Sequence, residues 1–83
     1  MTATIVGVRR VDMDSENVHG FSLYINYKDE SVSGIDGMMA ERQFVNDTMI
    51  RSASPGWVPT PGDTFDFEWG RREGKIGRIT TVL

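Results

Sequence analysis

The chain has 83 residues, with nine basic and twelve acidic side chains, one histidine and no cysteine. A chain of this length forms a single domain, residues 1–83, which buries only about 60% of its unfolded surface. Its 39% hydrophobic and 25% charged residues are typical of globular proteins and argue against disorder, and no apolar run approaches the ~18 residues of a membrane span. Because no secretion signal opens the chain, we expect a cytoplasmic protein without a membrane partner.

Two strands are predicted in the first third of the chain. Residues 2–11 are rich in β-branched side chains, and residues 20–28 alternate between two faces. The apolar face of this second strand holds Phe21, Leu23, Ile25 and Tyr27, and the other face holds Ser22, Tyr24, Asn26 and Lys28. The polar residues 12–19 between the strands predict a hairpin loop, in which the only histidine, His19, is a solvated side chain.

The middle of the chain predicts a third strand and one helical turn. Residues 29–37 have turn composition, and residues 38–45 alternate as a strand, although their Met, Ala and Glu also suit a helix. Residues 46–52 are expected to form a helical turn capped by Asn46 or Asp47. Residues 53–62 contain all three prolines and predict a loop, whose Trp57 either closes one end of the fold or offers a binding surface.

The last third of the chain predicts a hairpin. Residues 64–69 place Phe65, Phe67 and Trp69 on one face of a strand, residues 70–74 form the turn, and residues 75–83 return as the final strand. A register that pairs Phe67 with Ile79 keeps both in the core. The same register places Glu68 opposite Arg78 as a cross-strand ion pair.

Five strands with almost no helix predict an all-β fold. We expect a small five-stranded antiparallel barrel, OB-like or SH3-like, because closure removes the exposed edges of a flat sheet. The alternative is a curved antiparallel sheet that dimerises to cover itself. The expected core consists of Ile5, Phe21, Leu23, Ile25, Phe44, Phe65, Phe67, Trp69 and Ile79.

No set of residues indicates an enzyme. A nucleophile with an adjacent general base is not apparent around His19. Asp12, Asp14 and Glu16 have the first three spacings of a calcium loop, but Asn17 and Leu23 stand where that loop needs Gly and Glu. The sequence therefore predicts a non-enzymatic protein without a metal or cofactor.

The charges are segregated along the chain. Residues 12–47 hold eight acidic and two basic side chains, whereas residues 70–83 hold four basic and one acidic. If the first and last strands lie close together, their basic residues would merge into a stripe suited to a phosphate backbone. With Tyr24 as a stacking ring, the predicted nucleic-acid-binding residues are Arg9, Arg10, Tyr24, Lys28, Arg42, Arg71, Arg72 and Lys75.

The C-terminal stretch carries a resemblance. Residues 61–79 combine a Pro-Gly-led strand, a Gly-Arg-Arg-Glu-Gly-Lys turn and a closing strand, preceded by Val11-Asp12 and the strand at residues 20–24. This arrangement resembles small uncharacterised proteins of phages and integrative mobile elements of Gram-positive bacteria. Their size and strand order are similar to those of filamentous-phage single-stranded-DNA-binding proteins, which are dimeric OB-like barrels. The resemblance implies coating of nucleic acid near replication or transfer.

Two functions therefore remain open from the sequence. The first is a single-stranded nucleic-acid-binding module, for DNA above all, with little sequence preference. The second is a barrel that mediates protein–protein assembly without nucleic acid. In both cases we expect a homodimer, because a barrel this small gains little from its own burial and Met38 or Met39 looks exposed beside an edge strand.

Overall fold

The computed structural model describes residues 1–83 as five strands and one short helix. The elements are β1 (Thr2–Met13), β2 (Val18–Tyr27), β3 (Met39–Asn46), α1 (Asp47–Ala53), β4 (Thr64–Trp69) and β5 (Ile76–Val82). All strands belong to one antiparallel sheet in the order β3-β2-β1-β4-β5. The predicted all-β class is confirmed. No helix in the structure has the length and apolar character needed to cross a membrane.

The first hairpin is longer than predicted. β1 continues to Met13 and β2 begins at Val18, so the connection is only a 3₁₀ turn at Asp14–Glu16 followed by Asn17 in the left-handed conformation. His19 lies on β2 rather than in a solvated loop, with its Nδ1 2.8 Å from Asp12 Oδ1 on the neighbouring strand. The prediction failed because polar side chains that pair across strands resemble loop residues in sequence.

The predicted helical turn is present between β3 and β4. Asn46 caps α1, because its side-chain oxygen accepts a hydrogen bond of 2.8 Å from the Met49 backbone N–H. Ile50 is the buried residue of the helix and joins the core. The helix packs mainly on β5, with smaller contacts to β3 and β2.

The C-terminal hairpin has the predicted register. Phe67 pairs with Ile79 and Glu68 pairs with Arg78, and an ion pair of 3.1 Å joins the latter two side chains. The rings of Phe67 and Trp69 meet edge to face, with their centroids 4.9 Å apart. Both rings also meet the ring of Tyr27 on β2 edge to face, with centroids 5.9 and 5.6 Å apart, so the hairpin packs against β2 across the core.

The core lies on one face of the curved sheet. Its buried residues are Ala3, Ile5, Leu23, Ile25, Tyr27, Val45, Ile50, Phe65, Phe67, Ile76 and Ile79, with Phe21 and Trp69 packed at its margin. Phe44 is not a core residue, since 40% of it is exposed. The β2–β3 register pairs Leu23 with Gln43 and Phe21 with Val45, so the odd-numbered residues of β3 face inward and Phe44 faces outward.

The sheet curves like a barrel but is not closed by backbone pairing. β3 and β5 are its two edges, and the side chain of Gln43 on β3 bridges them. Gln43 Nε2 donates to the Gly74 carbonyl at 2.8 Å, and its Oε1 accepts from the Ile76 N–H at 3.2 Å. The expected barrel is therefore open along one seam, between β3 and β5, where the side-chain amide of Gln43 makes the hydrogen bonds and no backbone pairing joins the two strands.

Candidate functional site

The side of β1, β2 and β3 that faces away from the core is called here the outer face. Residues directly opposite each other on paired strands share a face, so the register defines rows across the three strands. One row contains Arg9, Ser22 and Phe44, and the next contains Gly7, Tyr24 and Arg42. The two rows form a small grid, in which Arg9 and Phe44 lie at the ends of the first row and Tyr24 lies beside Arg42 in the second.

Two cations of this grid are free of carboxylate partners. Arg9 and Arg42 are exposed and take part in none of the ion pairs of the protein. Between them lies Ser22, which is buried although it points to the outer face. The two guanidinium groups can therefore meet an anion without first breaking an internal ion pair.

Two aromatic rings complete the grid. Tyr24 and Phe44 expose 41% and 40% of their surface. Tyr24 packs over Gly7 of β1, and the Phe44 ring lies over Gly20 of β2. A Cβ atom at Gly20 would stand 2.2 Å from the Val45 carbonyl oxygen and 2.9 Å from Phe44 Cζ, so this glycine allows β3 and the ring to come close.

Shallow grooves run on both sides of Arg42. One groove, of about 530 Å³, is lined by Arg9, Val11, Met13, Val18, Ser22, Arg42 and Phe44. The other, of about 370 Å³, is lined by Val6, Tyr24, Ile25, Asn26, Ala40, Glu41 and Arg42. Arg42 is common to both grooves, so a chain-like ligand could follow the outer face from one groove to the other past this arginine.

Arg10, also predicted to bind nucleic acid, lies on the opposite side of the sheet. Its guanidinium donates to Asp12 at 2.8 Å and to Asp47 at 2.7 Å, and its Cζ stands 4.9 Å from the centre of the Phe21 ring. The hydrogen bonds to Asp47 and Asp12 raise the pKa of Arg10 further above its ordinary value. Arg10 therefore has a structural role, since it joins the first hairpin to the start of α1. Arg9, in contrast, is on the outer face and makes no ion pair.

The basic residues of the C-terminal hairpin do not merge with those of β1. β1 pairs with the antiparallel β4 only through Thr2–Thr4, so Arg9 lies beyond the paired part of β1. Arg9 on β1 and the β4–β5 loop, which carries Arg71, Arg72 and Lys75, are therefore not on neighbouring strands, because β4 lies between β1 and β5. The expected stripe fails because β4 separates β1 from β5.

The β4–β5 loop instead approaches β3. The hydrogen bond from Gln43 to the Gly74 carbonyl sets Lys75 beside the strand that carries Arg42. Arg72 faces the end of the fold, where it lines a cavity with Tyr27, Met39 and Trp69. Lys28 is exposed just beyond the end of β2. The predicted residues thus divide between the outer face, the β4–β5 loop, the end of β2 with Lys28, and the ion pairs of Arg10.

Trp57 has a packing role. Its Nε1 donates to Asp63 at 3.0 Å, and its ring lies against Phe65 with the centroids 6.2 Å apart.

Phe44 was predicted as a core residue and was therefore missed as an exposed residue of the site. Strand alternation places it on the same face of the strand as Arg42. This alternation is visible in the sequence, but only the β2–β3 register shows that the face with Arg42 and Phe44 points to solvent.

Comparisons with protein-family models, curated proteins and solved structures find no match to this chain. The similarity to phage and mobile-element proteins thus stays a prediction. The outer face is therefore interpreted from its own geometry and charge.

Proposed function

We propose that this protein is a non-enzymatic module that binds single-stranded nucleic acid, above all DNA, along the outer face. The observation that carries the proposal is that Arg9 and Arg42, which have no carboxylate partner, share this face with the exposed rings of Tyr24 and Phe44. Single-strand binders combine the same two elements, cations for the backbone and aromatic rings for the bases.

Each element has a distinct physical task in this proposal. The guanidinium groups bind phosphates and displace condensed counterions, which makes affinity depend on salt. The rings of Tyr24 and Phe44 stack on bases, and because every base has a π face this contact discriminates little between sequences. The protein would coat a strand rather than read it.

The net charge of −3 does not oppose this function, because the acidic side chains lie elsewhere. No carboxylate occurs in the four outer-face rows across β1, β2 and β3, which run from the row Val11, Gly20, Asn46 to the row Thr4, Asn26, Ala40. Glu41, at the border of one groove, accepts hydrogen bonds from Tyr27 and Gln43 on the inner side. Within these rows the only charged side chains are therefore those of Arg9 and Arg42.

The β4–β5 loop would extend the site. Lys75 follows Gly74, whose carbonyl Gln43 holds at the edge of β3, and Arg42 is the neighbour of Gln43 on that strand. Arg71 and Arg72 belong to the same exposed loop. OB-type barrels also use the face of strands 2 and 3 together with the loop between strands 4 and 5.

A set of variants tests the placement of the site. Affinity for a labelled mixed-sequence oligonucleotide is measured for Arg9→Ala/Arg42→Ala and for the control Arg78→Ala, whose arginine pairs with Glu68. The double variant is expected to lower the slope of log K against log salt by roughly 1.4, at about 0.7 per contact, and the control to leave it unchanged. An unchanged slope in the double variant would contradict this placement.

The second candidate function is self-assembly through the outer face. Exposed apolar side chains share this face with the grid, namely Val6, Met13, Tyr24 and Phe44. Such a patch can also serve as a protein interface. Sedimentation of the wild-type protein and of Phe44→Ser, together with oligonucleotide titration, distinguishes the two functions. Self-assembly is favoured if the wild type is a dimer that binds no oligonucleotide and if Phe44→Ser is a monomer.

A further inference from the structure

A cavity lies next to the outer face, at the junction of the first hairpin with α1. It has a volume of about 430 Å³ and is lined by Asn17, Val18, His19, Phe44, Asn46, Asp47, Thr48 and Arg51. This volume falls within the range of small-molecule sites in proteins. None of these residues except Phe44 belongs to the grid of the outer face.

Phe44 connects the cavity with the outer face. The same ring lines this cavity and the groove that contains Arg9 and Arg42. Because the ring lies over Gly20 and lines both spaces, it forms the wall between them. A strand stacked on the outer face therefore meets this cavity as soon as it passes Phe44.

Arg51 is the cation of the cavity with free hydrogen-bonding capacity. Its one side-chain hydrogen bond, from Nη2 to Thr48 Oγ1, measures 3.4 Å and is longer than the usual range. The other ionisable groups of the cavity already have partners: the carboxylate of Asp47 is paired with Arg10 at 2.7 Å, and His19 Nδ1 lies 2.8 Å from Asp12 Oδ1. Most donor positions of the Arg51 guanidinium therefore remain available to an anion.

We propose, building on the nucleic-acid-binding function above, that this cavity receives a nucleotide at one end of the bound strand. Its base packs against Phe44 and its phosphate binds Arg51. A cation with free donors beside an aromatic ring matches the two parts of a nucleotide, its charged phosphate and its flat base. The outer face and the cavity together form one continuous path.

Oligothymidylates of roughly four to sixteen nucleotides, the range of site sizes for such barrels, test this assignment. Wild-type affinity is expected to rise in a step at the length that reaches Arg51. Arg51→Ala should remove this step and weaken binding of the longer probes about tenfold, with little effect on the shortest ones. Arg78→Ala, which removes the same charge at a distance, is the control.

A second readout locates the contact. Backbone amide shifts of Asn17, Thr48 and Arg51 should move with the long probes and stay in place with the short ones. If the wild type binds but Arg51→Ala keeps the full length dependence and these amides do not move, the cavity assignment is overturned and the proposed function stands. If the wild type binds no probe, both are overturned.

Discussion

The side chain of Gln43 joins the edge strand β3 to the backbone of Ile76 at the start of β5. Its Oε1 accepts the Ile76 N–H at 3.2 Å while its Nε2 donates to the Gly74 carbonyl at 2.8 Å. Gln43 is only 1% exposed and also donates to Glu41. One buried amide thus bridges the seam of the sheet and holds the β4–β5 loop at the edge of β3.

Replacing Gln43 should open this seam. Gln43→Leu keeps most of the side-chain volume but leaves the Ile76 N–H and the Gly74 carbonyl unpaired, and we expect a loss of about 1–3 kcal/mol in the free energy of unfolding. Urea denaturation measures the loss, and hydrogen exchange at the Ile76 amide should accelerate. The exposed Thr80→Ala is the control and should change stability by less than about 0.5 kcal/mol. Equal stability of Gln43→Leu and wild type would contradict the bridging role.

The two glycines beneath the aromatic rings should respond differently to alanine. A Cβ at Gly20 would stand 2.2 Å from the Val45 carbonyl oxygen, whereas a Cβ at Gly7 would make an ordinary contact of 3.5 Å with Tyr24. Gly20→Ala is therefore expected to cost about 1–3 kcal/mol, since backbone must move. Gly7→Ala should be much milder. Thermal unfolding of both variants checks the difference, and equal effects would be inconsistent with the close approach of β3 to Gly20.

Acid should weaken the link between the first hairpin and α1. Hydrogen bonds from Arg10 and His19 lower the pKa of Asp12 to about 2, and the hydrogen bond from Arg10 also lowers the pKa of Asp47. An unfolded Asp titrates near ~3.9, so these ion pairs favour the folded state above that pH and lose their effect as the pH falls toward 2. Added salt should reduce the effect, because the groups are exposed.

Urea midpoints measured between neutral pH and about pH 2.5 test this link. The stability of Arg10→Met should fall less steeply with acid than that of wild type, since its Asp12 and Asp47 lack the partner that lowers their pKa values. Arg78→Ala serves as a charge-matched control. If the stability of Arg10→Met fell with pH as steeply as that of wild type, Arg10 would not be the group that lowers the pKa values of Asp12 and Asp47.

Alanine substitutions at Phe67 and Phe44 should differ in their effect on stability, because Phe67 is a core residue and Phe44 lies on the outer face. Phe67 is buried and packs against Tyr27, Phe65 and Trp69. Phe67→Ala is expected to lower the free energy of unfolding by ~3–5 kcal/mol. Phe44→Ala should cost far less, because much of its ring already contacts solvent. A reversed order of the two effects would return Phe44 to the core.

Local patterns predicted the strands well, but they could not predict the contacts between distant elements. The alternation at residues 20–28 and the pairing of Phe67 with Ile79 depend on neighbouring positions, and both were readable from the sequence. The face of β3 that becomes the core depends on the β2–β3 register. An eight-residue strand with Phe44 on one face and with Met39 and Val45 on the other does not specify that choice.

The candidate site was predictable in the same partial way. Arg9, Tyr24 and Arg42 were identified by charge and strand position, and the structure brings them together on one face. Arg10 was grouped with Arg9 because the two are adjacent in sequence, yet adjacent strand residues point to opposite sides of a sheet. The position of the β4–β5 loop next to β3 depends on the buried Gln43, which no sequence pattern marked.

Titration of the wild-type protein with a labelled single-stranded oligonucleotide at two salt concentrations tests the central claim most directly. If Arg9, Arg42 and further cations bind phosphates, affinity should fall as salt rises, with a slope of at least roughly 1.4 in log K against log salt for two contacts. Phe44→Ala should weaken binding at both salts by ~1–3 kcal/mol, as loss of a stacking ring does. Absence of binding by the wild type at low salt would contradict the account.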